Sequence, residues 1–117
     1  MDSKLLIKRT TDFAHRAVKL SLALPKSTLG RHISGQLIRC STSVAAKKYR
    51  ATVLAQSRAA FRAKLSIVLE EIDESQFWIE FLVKENLMTI KKVEGVLSEA
   101  GELRAIFYAT RKTLSKK

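Results

Sequence analysis

The chain has little of what interrupts helices or staples small folds: one proline, four glycines and one cysteine in 117 residues. So few turn-forming residues leave no room for a series of hairpins or short strands, so the expected class is all-α. A lone Cys40 excludes an intramolecular disulfide and a cysteine-based zinc site within one chain, and it fits a reducing compartment. No window approaches the roughly 18 uninterrupted apolar residues of a membrane span. The first nine residues lack the apolar run of a signal peptide, which leads us to expect a cytoplasmic protein without a membrane partner.

Acid is the most informative shortage. From Phe13 to Leu69, 57 residues pass without an Asp or Glu, and that stretch holds 11 of the 22 Lys and Arg. Residues 1–64 carry 14 bases against two acids, whereas residues 65–117 carry 8 against 9. A fold with such an imbalance repels itself unless a partner, its own acidic half or salt supplies counter-charge.

What is present is helical periodicity. With 46% hydrophobic residues the chain can bury a single core, and two domains would each be too small. Leu6, Phe13, Ala17, Leu20 and Leu24 recur at helical spacing before Pro25, which predicts helix 1 over about 3–23. Helix 2, about 29–55, carries a core stripe of Leu29, Ile33, Leu37, Cys40, Val44, Ala51 and Ala55. A second seam of mostly small residues, Ser34, Ile38, Ser41, Ala45 and Thr52, suits a central helix or a subunit interface. Helix 3, about 57–85, has the clearest heptad: Phe61, Leu65, Val68, Ile72, Ser75, Ile79 and Leu82. Helix 4, about 89–114, follows Thr89 with Val93, Leu97, Ala100, Leu103 and Phe107. Short connections between four such helices predict one up-and-down four-helix bundle domain.

Among candidate sites, Ala45-Ala46-Lys47-Lys48-Tyr49-Arg50 sets three cations around an aromatic, as phosphate neutralisation with base stacking requires. Arg39, Arg58, Arg62 and Lys64 extend the same basic surface. A solvated helix face would read the same way. The opposite pole, Glu70, Glu71, Asp73 and Glu74, is expected to pair with helix 2 cations within the chain or across a subunit boundary, with Trp78 in core or interface. Di-iron bundles need Glu-x-x-His pairs, which are absent, so no metal and no cofactor are expected. His15 and His32 lack relay partners, Cys40 lies on the core stripe without a base, and there is no Gly-x-Ser-x-Gly elbow or phosphate-binding glycine loop. A non-enzymatic protein is expected.

Several segments in order, Phe13-Ala14, Leu24-Pro25-Lys26, Gln36 through Ala46, Ser57-Arg58, Phe61, Lys64 through Ile67 and Glu71 through Leu82, resemble the bacterial four-helix proteins encoded in intervening sequences of 23S ribosomal RNA genes. The resemblance implies a left-handed up-and-down bundle that assembles as a ring, a homopentamer, with nucleic-acid binding as its suggested activity. By analogy of fold alone, the accessory variability determinant of diversity-generating retroelements is a basic pentamer that binds nucleic acid and a reverse transcriptase. Where the family tends to read Ser-Val-Gly-Ala-Asn-Tyr-Arg-Glu-Ala, this chain has Ser43-Val44-Ala45-Ala46-Lys47-Lys48-Tyr49-Arg50-Ala51, so Asn and Glu both give way to cations.

Two readings follow. The first is an oligomeric RNA- or DNA-binding bundle that contacts backbone with little sequence specificity through Arg39, Lys47, Lys48, Tyr49, Arg50, Arg58, Arg62 and Lys64. The second is a structural or adaptor oligomer whose acidic helix 3 surface neutralises its basic helix 2 surface.

Overall fold

The computed structural model describes residues 2–116. Four helices follow one another: α1 (Ser3–Leu22), α2 (Thr28–Leu54), α3 (Arg58–Lys84) and α4 (Ile90–Ser115). Helices of 26 and 27 residues are about 40 Å long at 1.5 Å per residue, and the molecule is a rod of 48 × 21 × 20 Å. Each helix packs on its sequence neighbour, and α4 closes the ring on α1 through the thinnest seam. Contacts at two levels show the helices to be antiparallel: Arg39 and Lys48 of α2 meet Glu74 and Phe61 of α3. Likewise Arg104 and Arg111 of α4 meet Gln76 and Ser66 of α3, while Arg9 and Arg16 of α1 lie against Glu99 and Gly95 of α4.

Local chemistry sets the ends. Asp2, Ser27 and Ser57 each turn a side-chain oxygen back to accept a first-turn N–H, from Lys4, Gly30 and Ala60. Thr89 precedes α4 without such a bond. Gly30 is required by a close approach, since a Cβ there would lie 2.0 Å from the Pro25 carbonyl oxygen. Asn86 takes the left-handed conformation at φ 58° and closes α3. Its N–H donates to Val83 O and the Leu87 N–H to Leu82 O, both at 3.0 Å, the paired pattern that satisfies the last carbonyls.

The heptad positions of α3 from Leu65 to Leu82 and the stripe Ile33, Leu37, Cys40, Val44 and Ala51 of α2 are buried, with Phe13, Ala17, Leu103 and Phe107 facing them. Leu29, expected on the stripe, is 36% exposed because it stands in the first turn, beyond the end of the core. The side of α2 bearing Arg39 and Cys40 meets α3, and α2 packs also on α1. Of the small-residue seam, Ser41 is buried and Ser34, Ile38, Ala45 and Thr52 are half-buried. Arg16 lies over Gly95, where a Cβ would come within 2.7 Å of its guanidinium, so the absence of a side chain admits this α1 cation onto α4.

Candidate nucleic-acid interface

Antiparallel packing sorts the charge lengthwise. It brings the N-terminal halves of α1 and α3 and the C-terminal halves of α2 and α4 to one end of the rod. If each helix is divided at its middle, this end (residues 2–12, 42–70 and 103–116) holds 13 Lys and Arg against three acids. The other end holds 8 against 8. Concentration of like charge over half a rod of this width, about twice the Debye length at physiological salt, raises the local potential where a polyanion could approach.

The expected basic residues divide into four groups. Lys47, Arg50 and Lys64 hold no ion pair among the described residues, with Arg50 exposed and the two lysines half-buried. Tyr49 is 52% exposed but, two residues on from Lys47, faces away from it around α2. Arg58 instead closes the C-terminus of α4: its Nε and Nη2 donate to the carbonyls of Leu114, Thr113 and Lys116, each at 3.1 Å. Arg62 donates to Ser115 Oγ at 3.3 Å in the same region. Both remain exposed and keep their charge at this end.

Arg39 belongs to a different environment. It stands near the middle of the rod, ion-paired with Glu71 at 3.5 Å and with Glu74. The bond from Arg39, helped by the Trp78 indole N–H at 3.2 Å, holds the Glu74 carboxyl below the usual carboxylate range. The expected pairing of acidic α3 with basic α2 thus occurs, inside one subunit and at one arginine. Asp73 departs from that expectation, pairing with Arg104 of α4 at 3.3 Å because its position on α3 turns toward α4. Glu70 is exposed and carries no ion pair among the described residues.

Lys48 corrects the expected surface. It is 2% exposed, its Nζ donates to Thr52 Oγ1 at 2.9 Å, and the rings of Phe61 and Phe107 lie 5.3 and 5.7 Å away. Burial pushes its ammonium below the ordinary lysine range. The sequence signal was there, since Lys48 falls four residues after Val44 and three before Ala51, on the core stripe itself. Conversely, Arg111, Lys112 and Lys116 belong to the basic end through the reversal of α4, which no local pattern reveals.

Trp78 is half-buried at the α2–α3 seam, edge-on to His32 at 5.6 Å, with Phe77 and Phe81 beside it. Phe77 and Ile67 leave apolar surface on the outer side of α3, at 52% and 42% exposure. Cys40 is buried, and desolvation pushes its thiol up, away from thiolate chemistry. Among the described residues, no cluster of three His, Cys, Asp or Glu is placed to hold a metal ion, and no helix is long and apolar enough to cross a membrane.

Comparison with known families settles the lineage. The model described as 23S rRNA-intervening sequence protein matches residues 4–109. The chain belongs to this family. A crystal structure of a protein of unknown function from the S23 ribosomal protein family of Bacteroides thetaiotaomicron shares 30% identity and superposes with a TM-score of 0.84. The match covers 92% of this chain and 98% of that one. No curated protein matches it. The four helices and their order are thus those of the family.

Proposed function

We propose that this protein is a non-enzymatic nucleic-acid-binding subunit of a homo-oligomer, a ring of left-handed bundles with five copies as the expected number, that works in the cytoplasm. The observation that supports it best is the basic end, where Lys47, Arg50 and Lys64 stand without acidic partners among the described residues, and where nine of the 13 cations remain once the ion-paired Lys8, Arg9 and Arg104 and the buried Lys48 are set aside. Contacts of this kind read backbone charge, RNA or DNA, with little base specificity. The family's link to 23S rRNA genes is consistent with this partner. In a ring the patch recurs in each copy, and weak contacts reinforce one another. The apolar outer side of α3, with Phe77 and Ile67, is the surface we assign to subunit contact.

A structural or adaptor role is the second reading, favoured by the Arg39 pairs with Glu71 and Glu74. Yet those pairs neutralise one cation and leave the basic end untouched. Binding to RNA, duplex DNA and single strands over a salt series, with solution mass measured in parallel, separates the two. Nucleic-acid binding requires log K to fall with log salt by about 0.7 to 0.9 per phosphate neutralised. Affinity that ignores salt, or a protein that binds no nucleic acid at all, favours the adaptor.

A further inference from the structure

At the basic end a cleft of about 510 Å³ opens between the N-terminus of α1 and the α2–α3 connection, lined by Ser3, Thr52, Ser57, Arg58 and Phe61 among others. Two of its hydroxyls already accept a bond, Ser57 as an N-cap like Ser27 and Thr52 from an ammonium. Thr52 Oγ1 accepts from the buried Lys48 ammonium at 2.9 Å, and Ser57 Oγ accepts from the Ala60 N–H at 3.0 Å. Elsewhere in the helices Thr10, Thr42, Thr110 and Thr113 spend their hydroxyl protons on a carbonyl four residues back. Thr52 and Ser57 donate no such bond among the described residues. A hydroxyl whose oxygen already accepts from a donor offers its proton outward, and an ammonium behind it makes that proton a stronger donor.

Lys48 gives this arrangement its charge. An ammonium buried among Phe61 and Phe107, with no carboxylate partner among the described residues, is costly to the fold. Its electrostatic reach through low-dielectric surroundings extends to the cleft, which Thr52 and Phe61 separate from it. Arg58 adds a second cation at the wall, held in place by its bonds to the α4 carbonyls, with Nη1 outside those bonds. Asp2, next to Ser3, caps α1 by accepting from Lys4 N at 2.8 Å and sets one acidic group against the two cations Lys48 and Arg58. The cleft therefore presents donors and positive charge, and its half-apolar rim includes Phe61 and Leu114.

The geometry points to a subsite for a phosphate monoester, the terminal phosphate of a bound strand, in which Thr52 and Ser57 donate to the phosphate oxygens and Lys48 acts through Thr52 as a positioning residue. This rests on the nucleic-acid reading and sharpens it: the basic surface holds the backbone, and the cleft takes the end. A monoester carries close to two charges at neutral pH against one for a backbone diester, so the concentrated positive charge selects the terminus.

The test compares a short oligoribonucleotide bearing a 5′-phosphate, a 3′-phosphate or two hydroxyl ends. One phosphorylated form should bind about tenfold more tightly than the hydroxyl form, the scale of one charge-assisted contact set. Thr52→Val, which removes only the hydroxyl, and Lys48→Met, which relieves the buried charge, should both abolish that preference. Thr52→Val should leave hydroxyl-ended binding and its salt slope unaltered. Equal affinity for all three ends overturns the subsite while leaving the basic surface intact. Inorganic phosphate titrated into the protein alone, followed by NMR, is independent of oligonucleotide binding. A saturable shift at the Thr52 and Ser57 amides that vanishes in Thr52→Val supports the subsite. No saturable shift there overturns it.

Discussion

Arg39 on α2 is bound to Glu74 on α3, and Glu74 also accepts the indole N–H of Trp78, so a single carboxylate ties a basic helix to an aromatic cluster. This relationship makes Arg39 part of the α2–α3 seam and removes it from the free basic surface. Arg39→Gln should therefore leave nucleic-acid affinity within about twofold, whereas Glu at both Lys47 and Arg50 should lower it by tenfold or more, since each lost phosphate contact weakens binding by a comparable step. Equal losses from the two variants, measured in a folded protein at one salt concentration, would place Arg39 back in the interface.

The same carboxylate predicts an acid limb. Because Arg39 and Trp78 hold Glu74 below the ordinary range, its folded form binds a proton less readily than the unfolded chain does. The stability it contributes is present above the ordinary glutamate value of about 4.3 and is lost as pH falls through the depressed folded value. Half of Arg39 is exposed to solvent, so the effect is small. Urea midpoints of wild type and Glu74→Gln should differ at pH 6 and draw together as pH falls below the ordinary glutamate value.

Lys48 predicts a second rise of stability with pH, on the alkaline side. Its folded ammonium is lowered by burial, so between that lowered value and the ordinary lysine value near 10.4 the unfolded chain holds the extra proton. Stability from this site rises with pH across that window and is lost as pH falls through the folded value. Lys48→Met, which keeps the volume and removes the buried charge, should stabilise the protein by about 1 to 3 kcal/mol at neutral pH. The variant should also lose this rise in stability toward alkaline pH. Denaturant curves at pH 7 and pH 9.5 check both.

Two glycines should answer alanine in opposite senses. Gly30→Ala sets a Cβ against the Pro25 carbonyl backbone and should cost about 3 kcal/mol. Gly35→Ala meets nothing within 4 Å in the subunit and should gain up to about 1 kcal/mol through helix propensity. Thermal melts of the two variants test whether the α1–α2 turn is as tight as its contacts require.

Arg58→Ala should act first on α4. It removes three bonds to the last carbonyls and a cation from the negative end of that helix dipole. Faster amide exchange from about residue 110 onward is expected, with a stability loss of about 1 kcal/mol.

Much of the fold was legible because four long amphipathic patterns, with Pro25 and the capping residues Ser27 and Ser57 between them, leave few alternatives. The helix ends shifted by a residue for local reasons: Ser57 and Thr89 stand outside the helices they introduce. The candidate site was less legible. Tyr49 is exposed as its position predicts, but the charge of Lys48 suggests surface while its spacing from Val44 and Ala51 places it in the core. Asp73 adjoins other acids in sequence, yet helical rotation turns it from α2 toward Arg104 of α4.

By itself the sequence determined the four helices, their order, the family likeness and an acid-free run of 57 residues, since these depend on local periodicity and composition. Tertiary structure decided where that charge acts. Antiparallel packing joins chain segments up to a hundred residues apart, so an imbalance between the two halves of the sequence becomes one between the two ends of a rod. It also seals one lysine of the basic segment behind Thr52 while leaving Lys47 and Arg50 without acidic partners among the described residues. Burial and ion pairing depend on what other helices bring to each position, and that is information no single stretch of sequence carries.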